Sequence, residues 1–223
     1  MVITRGVGKS ILYGGLILLL IQGARALVYR GLILILPWLA QRPLAARALV
    51  FSIMAAGFCL AARPSPAALG LVPARRKSGR RLGWLTGILW LMAVGSSAYF
   101  GPGILLENLI DAGLIPLTEE CLFRGFLWGA IEEAWPGSAE EGGERAGTWA
   151  ALITTTILFG LWHLGYADMV VDNLGGRAAL PAVMGTKVLI GLCVGLLAGA
   201  GRALSGSAWP AIFLHGLWNV FGR

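Results

Sequence analysis

The chain alternates long apolar stretches with short polar ones, and each stretch is close to the length a membrane helix needs. Ser10 to Trp38 is apolar except at Gln22, Arg25 and Arg30. Cutting it at the arginines leaves pieces too short to cross a bilayer, so it predicts one long, tilted helix. Arg5 and Lys9 before the apolar run, with Ala24-Arg25-Ala26 inside it, also resemble a secretory leader with a small-residue cleavage site. The remnant after Ala26 would be too short to span, which favours the uncut helix. Leu44 to Ala62 and Leu82 to Phe100 predict two further spans, and Gly101-Pro102-Gly103 predicts a break. Ile104 to Leu117 is short and carries Glu107 and Asp111, which leaves its crossing open. A separate helix is expected from Thr118, an N-cap following Pro116, to about Ala134, where Trp135-Pro136-Gly137 ends it. An acidic, Gly-rich loop from Pro136 to Gly147 precedes three last segments: Trp149 to Gly165, Leu180 to Gly201 and Ala208 to Phe221. The expected fold class is all-α, a polytopic transmembrane helix bundle of about eight spans.

Composition narrows the class. The chain is 57% hydrophobic and 13% charged, against roughly 25% charged in a soluble domain, and its mean hydropathy is +0.76. An ordinary soluble enzyme is excluded, and an integral protein of the cell (inner) membrane is expected, with the lipid bilayer as its solvent. The net charge of +7 does not point to nucleic acid. Arg63, Arg75, Arg76, Lys77, Arg80 and Arg81 form an acid-free stretch between apolar segments, as a cytoplasmic loop does, and no aromatic or glycine motif accompanies them. With Arg5 and Lys9, this loop puts the N-terminus in the cytoplasm. The charge bias is the same whether or not Ile104 to Leu117 crosses, so it does not orient the C-terminal half. Cys59, Cys121 and Cys193 form no short-spaced pair, which argues against a disulfide frame or a cysteine metal site.

Ionisable residues inside a membrane are costly and point to function. Glu119, Glu120 and Arg124 open one segment, His163 closes the next, and His215 and Asn219 lie in the last. Alternating helix direction brings all of them to similar depth. Glu120 and Arg124 are four apart and can pair on one face, which turns Glu119 by about 100° toward another. His215 and Asn219, also four apart, present two hydrogen-bond donors to one point, as an oxyanion hole requires. Glu119 with His163 nearby can accept a proton from water. This set equips a site for peptide or ester hydrolysis. Glu120 and Arg124 read as a structural ion pair, Trp162, Trp209 and Trp218 as interfacial anchors, Lys187 as a snorkelling side chain, and Glu107 and Asp111, four apart, as a solvated helix end in preference to a polar face lining the site.

The same residues spell three motifs in order. Glu119 to Arg124 reads EExxxR, Phe159 to His163 reads FxxxH, and His215 to Asn219 reads HxxxN. From about Ala68 onward the chain resembles the CAAX-protease and bacteriocin-processing family, also called Abi, which is related to type II CAAX prenyl endopeptidases. The resemblance divides the chain into N-terminal transmembrane helices (residues 1–67) and a protease-like domain (residues 68–223). It implies that Glu119 and His163 activate water, that His215 and Asn219 stabilise the oxyanion, and that Glu120, Arg124 and Phe159 support them. The implied partner is a membrane-embedded or lipidated protein or peptide substrate. A metal-free reaction is the leading reading, because Asn219 beside His215 makes a better oxyanion donor than an outer partner of zinc. Zinc held by Glu119, His163 and His215 is the alternative. A non-catalytic membrane scaffold or transport-associated protein is a third reading, and it would not need these positions to converge.

Overall fold

The computed structural model describes residues 4–74, 77–135, 141–174 and 179–222. Arg75, Arg76, Arg177 and Arg223 lie outside the described residues, as does the first part of the acidic loop, residues 136–140. Among the described residues every regular element is helical. The first expected span is α1 (Thr4–Ile35), and α2 (Pro43–Ala62) follows after a short 3₁₀ turn at Pro37–Gln41. The third helix, α3 (Lys77–Ser96), begins five residues earlier than expected and takes in Lys77, Arg80 and Arg81.

The largest departure from expectation lies between residues 102 and 134. No break occurs at Pro116, and Thr118 caps nothing: its hydroxyl donates back to Leu114 O at 2.8 Å inside the helix. The segment is one continuous helical run. It comprises α4 (Pro102–Leu109), a π-helical turn at Ile110–Leu114, α5 (Ile115–Glu120), a second π-helical turn at Cys121–Leu127, and α6 (Trp128–Ala134). Two expected segments are therefore one, because the wider π turns let the helix pass a proline that a regular α-helix would exclude.

Helix α7 (Glu141–Trp162) starts inside the expected acidic loop, and a 3₁₀ turn at His163–Tyr166 leads into α8 (Ala167–Leu174), a helix not expected from the pattern. α9 (Leu180–Ser205) and α10 (Trp209–Phe221) complete the chain. Among the described residues five helices are long and apolar enough to cross a membrane: Ile11–Ile35, Pro43–Ala62, Lys77–Phe100, Ala146–Val171 and Leu180–Ser205. By that measure the count of eight is not reached. α10 has 13 residues, or about 20 Å at 1.5 Å per residue.

The bundle keeps its ions inside and its hydrocarbon outside. Leu12, Leu19, Leu27 and Leu34 on α1, Leu91 and Met92 on α3, and Leu189 and Leu197 on α9 are exposed, whereas Arg25, Asp111, Glu119, Glu120, Arg124 and His215 are buried. That arrangement suits a lipid solvent, in which apolar side chains outside cost nothing and charges must find partners within. α7 packs on α9, α9 on α10 and α10 on α3, with the 102–134 run threaded among them. Gly191, Gly195 and Gly199 recur every four residues along α9, and a Cβ at each would stand 2.8 Å from His163 Nδ1, 3.2 Å from Arg124 Nη2 and 2.4 Å from Leu152 Cδ1. This glycine seam lets α9 approach closely enough to serve as the wall of the site.

Candidate active site

Pro116 explains how the centre is assembled. It has no N–H to give the Ala112 carbonyl four residues earlier, and in the π turn the Ile115 N–H bonds Ile110 O, leaving the Asp111 carbonyl without an amide at either i+4 or i+5. Both carbonyls take side-chain donors from other helices. Trp90 Nε1 of α3 donates to Ala112 O at 2.7 Å, and Asn219 Nδ2 of α10 donates to Asp111 O at 2.7 Å. Gly216 allows the approach, since a Cβ there would stand 2.3 Å from Ala112 O and 2.5 Å from Trp90 Nε1. The proline thus draws α10 onto the run that carries the two glutamates.

The glutamates divide as their spacing predicts. Glu120 and Arg124 are both fully buried, with Arg124 Nη1 at 3.1 Å from Glu120 Oε2. Arg124 also donates from Nη2 to Gly195 O on α9 at 2.6 Å, and its guanidinium lies 4.6 Å from the centre of the Phe159 ring. The pair has a further role that the spacing could not show, because His215 Nδ1 donates to Glu120 Oε1 at 2.9 Å. Glu120 therefore fixes the ring that its neighbour faces. His215 Nε2 is turned toward Glu119, 3.9 Å from Oε2, and the edge-to-face contact with Phe159, 5.4 Å between centroids, supports the ring from behind.

Glu119 is held by its other oxygen. Tyr166 donates its hydroxyl to Oε1 at 2.5 Å, and Trp162 Nε1 lies 2.8 Å from both Oε1 and the Tyr166 oxygen. Trp162 was expected as an interfacial anchor, but it is buried and polar-bonded. His163, one residue beyond α7, donates from Nδ1 to Phe159 O at 2.8 Å. A carbonyl can only accept, so in the neutral ring Nε2 is the acceptor.

Glu119, His163, His215 and Asn219 all line one cavity of about 360 Å³. The cavity also touches Arg47, Glu107, Asp111, Lys187 and Trp218. Asp111 is thus a buried wall residue, not a solvated helix end, and its carboxylate lies 3.0 Å from Arg47 Nη2 on α2. Lys187 likewise stands on the cavity wall. Sequence reasoning missed Tyr166, Arg47 and the link from Glu120 to His215, since each depends on partners far apart in the chain.

A zinc ion bound by Glu119, His163 and His215 would need donors from all three at about 2.0–2.2 Å from one point. Among the described residues no group of three His, Cys, Asp or Glu side chains is arranged to hold a metal ion. As they stand the residues do not fit that centre, and no step below is routed through a metal.

Fold and site together define a polytopic helical membrane protein with a cluster of buried ionisable side chains around a cavity between its helices. The model of the family described as type II CAAX prenyl endopeptidase Rce1-like matches residues 101–221, more than half of the 223-residue chain, and the chain belongs to that family. Membership implies a protease. No curated protein and no solved structure matches the chain.

Proposed function

We propose that the chain is an intramembrane endopeptidase that cleaves near the terminus of a membrane-embedded or lipidated substrate, with Glu119 as the base. The observation that carries this reading is the asymmetry of Glu119. Oε1 is held by Trp162 and Tyr166, while Oε2 faces His215 in a cavity that His163 and Asn219 also line. In the proposed reaction a water between Glu119 Oε2 and His163 Nε2 gives its proton to Glu119 and attacks the peptide carbonyl. His215 Nε2 and Asn219 Nδ2, whose amide is oriented by the Asp111 carbonyl, donate to the oxyanion. Glu119 then passes the proton to the leaving amine. For Nε2 to donate, His215 must carry both ring protons, and Glu120 at Nδ1 supplies the counter-charge.

The same reading keeps the N-terminus and the cavity on the cytoplasmic side of the inner membrane. The test is Glu119→Gln, which preserves shape and removes only the base. Purified variant and parent are compared on an internally quenched peptide ending in a farnesylated cysteine and three further residues, the C-a-a-X form of such termini. The expected result is loss of cleavage by at least about a hundredfold, within the range general-base catalysis supplies, with an unchanged thermal midpoint. Full activity in Glu119→Gln would remove the assignment.

A further inference from the structure

The segment that the family match covers begins at residue 101, yet a polar side chain on the first helix reaches the site. α1 buries one stripe, with Gly14, Leu18, Arg25 and Tyr29 inward and Gln22 beside them. Its centre is an arginine with 2% of its surface exposed, in a helix whose other faces are lipid-facing leucines. A buried guanidinium at that depth is costly unless its donors are satisfied.

Its partners lie on α1 itself, on the turn that follows α7 and at the start of α8. Arg25 Nη2 donates to Gly165 O at 2.6 Å and to Asp168 Oδ1 at 2.8 Å, and Arg25 Nε donates to Gln22 Oε1 at 2.7 Å. Gln22 in turn donates from Nε2 to Trp162 O at 2.9 Å. Gln22 and Arg25 therefore donate to the last carbonyl of α7 and to one in the turn beyond it. Gly165 makes room for them, since a Cβ there would stand 2.4 Å from Gln22 Cδ. The guanidinium also lies 5.1 Å from the centre of the Tyr166 ring, whose hydroxyl holds Glu119. The clamped turn, His163–Tyr166, thus carries both the histidine facing the cavity and the tyrosine that fixes the glutamate.

We propose that Arg25, braced by Gln22, is a positioning residue for Glu119 and acts on it through Tyr166, so that α1 is part of the working site. The proposal rests on the reading of Glu119 as the base. Catalytic geometry tolerates little displacement of a base from its water, so a loosened turn lowers turnover before it lowers substrate binding. Arg25→Lys keeps a cation for Asp168 but cannot bridge Gly165 O, Gln22 Oε1 and Asp168 at once.

The experiment is a double-mutant cycle between Arg25→Lys and Tyr166→Phe, read as kcat and KM on the farnesylated quenched peptide, with Glu119→Gln as the control. Each single variant is expected to lose about tenfold in kcat with KM within about twofold, and the double variant to be no worse than the poorer single, as residues acting in one chain of contacts behave. Losses that multiply in the double variant, or parental kcat in Arg25→Lys, would overturn the proposal. If Arg25→Lys does not fold, Gln22→Leu takes its place in the cycle with the same expectation. Failure of both to fold would make the clamp purely structural and overturn the proposal equally. Activity surviving in Glu119→Gln sinks the function reading itself; an inactive Glu119→Gln beside a fully active Arg25→Lys sinks only the role of α1.

Discussion

Arg124→Met probes the buried ion cluster most directly. In the parent, Arg124 is the cation facing Glu120 at 3.1 Å, the donor to Gly195 O at 2.6 Å and the cap on the Phe159 ring. Methionine fills much of the volume but leaves Glu120 in an apolar bundle without its arginine, with His215 Nδ1 as its remaining partner. Breaking a buried pair from one side costs about 3–5 kcal/mol, and the orphaned Gly195 carbonyl adds about 1–3 kcal/mol. At roughly 2–4 °C per kcal/mol for a chain of this length, the thermal midpoint should fall by at least about 8 °C. Cys121 is buried while Cys59 and Cys193 are exposed, so a thiol-reactive dye added after the exposed thiols are blocked reports unfolding in detergent micelles. The decisive comparison is Glu120→Gln added to Arg124→Met. Glutamine still accepts from His215 Nδ1 and carries no charge, so most of the lost stability should return. A parental midpoint in Arg124→Met, or a double variant no more stable than Arg124→Met alone, would refute the view that a buried Glu120 charge deprived of its arginine is the source of the cost.

Gly216→Ala should destabilise the protein by about 1–3 kcal/mol, the range for forcing atoms into a packed contact, because the new Cβ meets the Ala112 carbonyl and Trp90. The same thermal assay checks it, and a midpoint equal to the parent's would mean that α10 can shift freely. Asn219→Leu should lower the midpoint as well as activity, since it leaves the Asp111 carbonyl inside the bundle without its donor at a cost of about 1–3 kcal/mol. Loss of activity at full stability would instead put the amide's whole contribution in the reaction.

Much of the helical plan could be read from the chain, because a lipid solvent demands long apolar stretches and each such stretch is visible locally. Pairs on one helix were legible for the same reason. Glu120 with Arg124, and Glu119 turned away from them, follow from the 3.6-residue repeat alone. The continuity of residues 102–134 was not legible, because Pro116 read as a helix start by local rules. It is tolerated inside the run only because Trp90 and Asn219, on other helices, satisfy the carbonyls it frees. The partners that complete the site lie beyond any local window. His215 meets Glu120 across 95 positions, Asn219 meets Asp111 across 108, and Arg25 meets Gly165 across 140. Side-chain identity and periodicity determined which groups could not remain unpaired in an apolar bundle, while the packing of α1, α3, α7, α9 and α10 around the 102–134 run decided which groups pair, because a buried polar atom takes whichever partner the fold brings within about 3 Å.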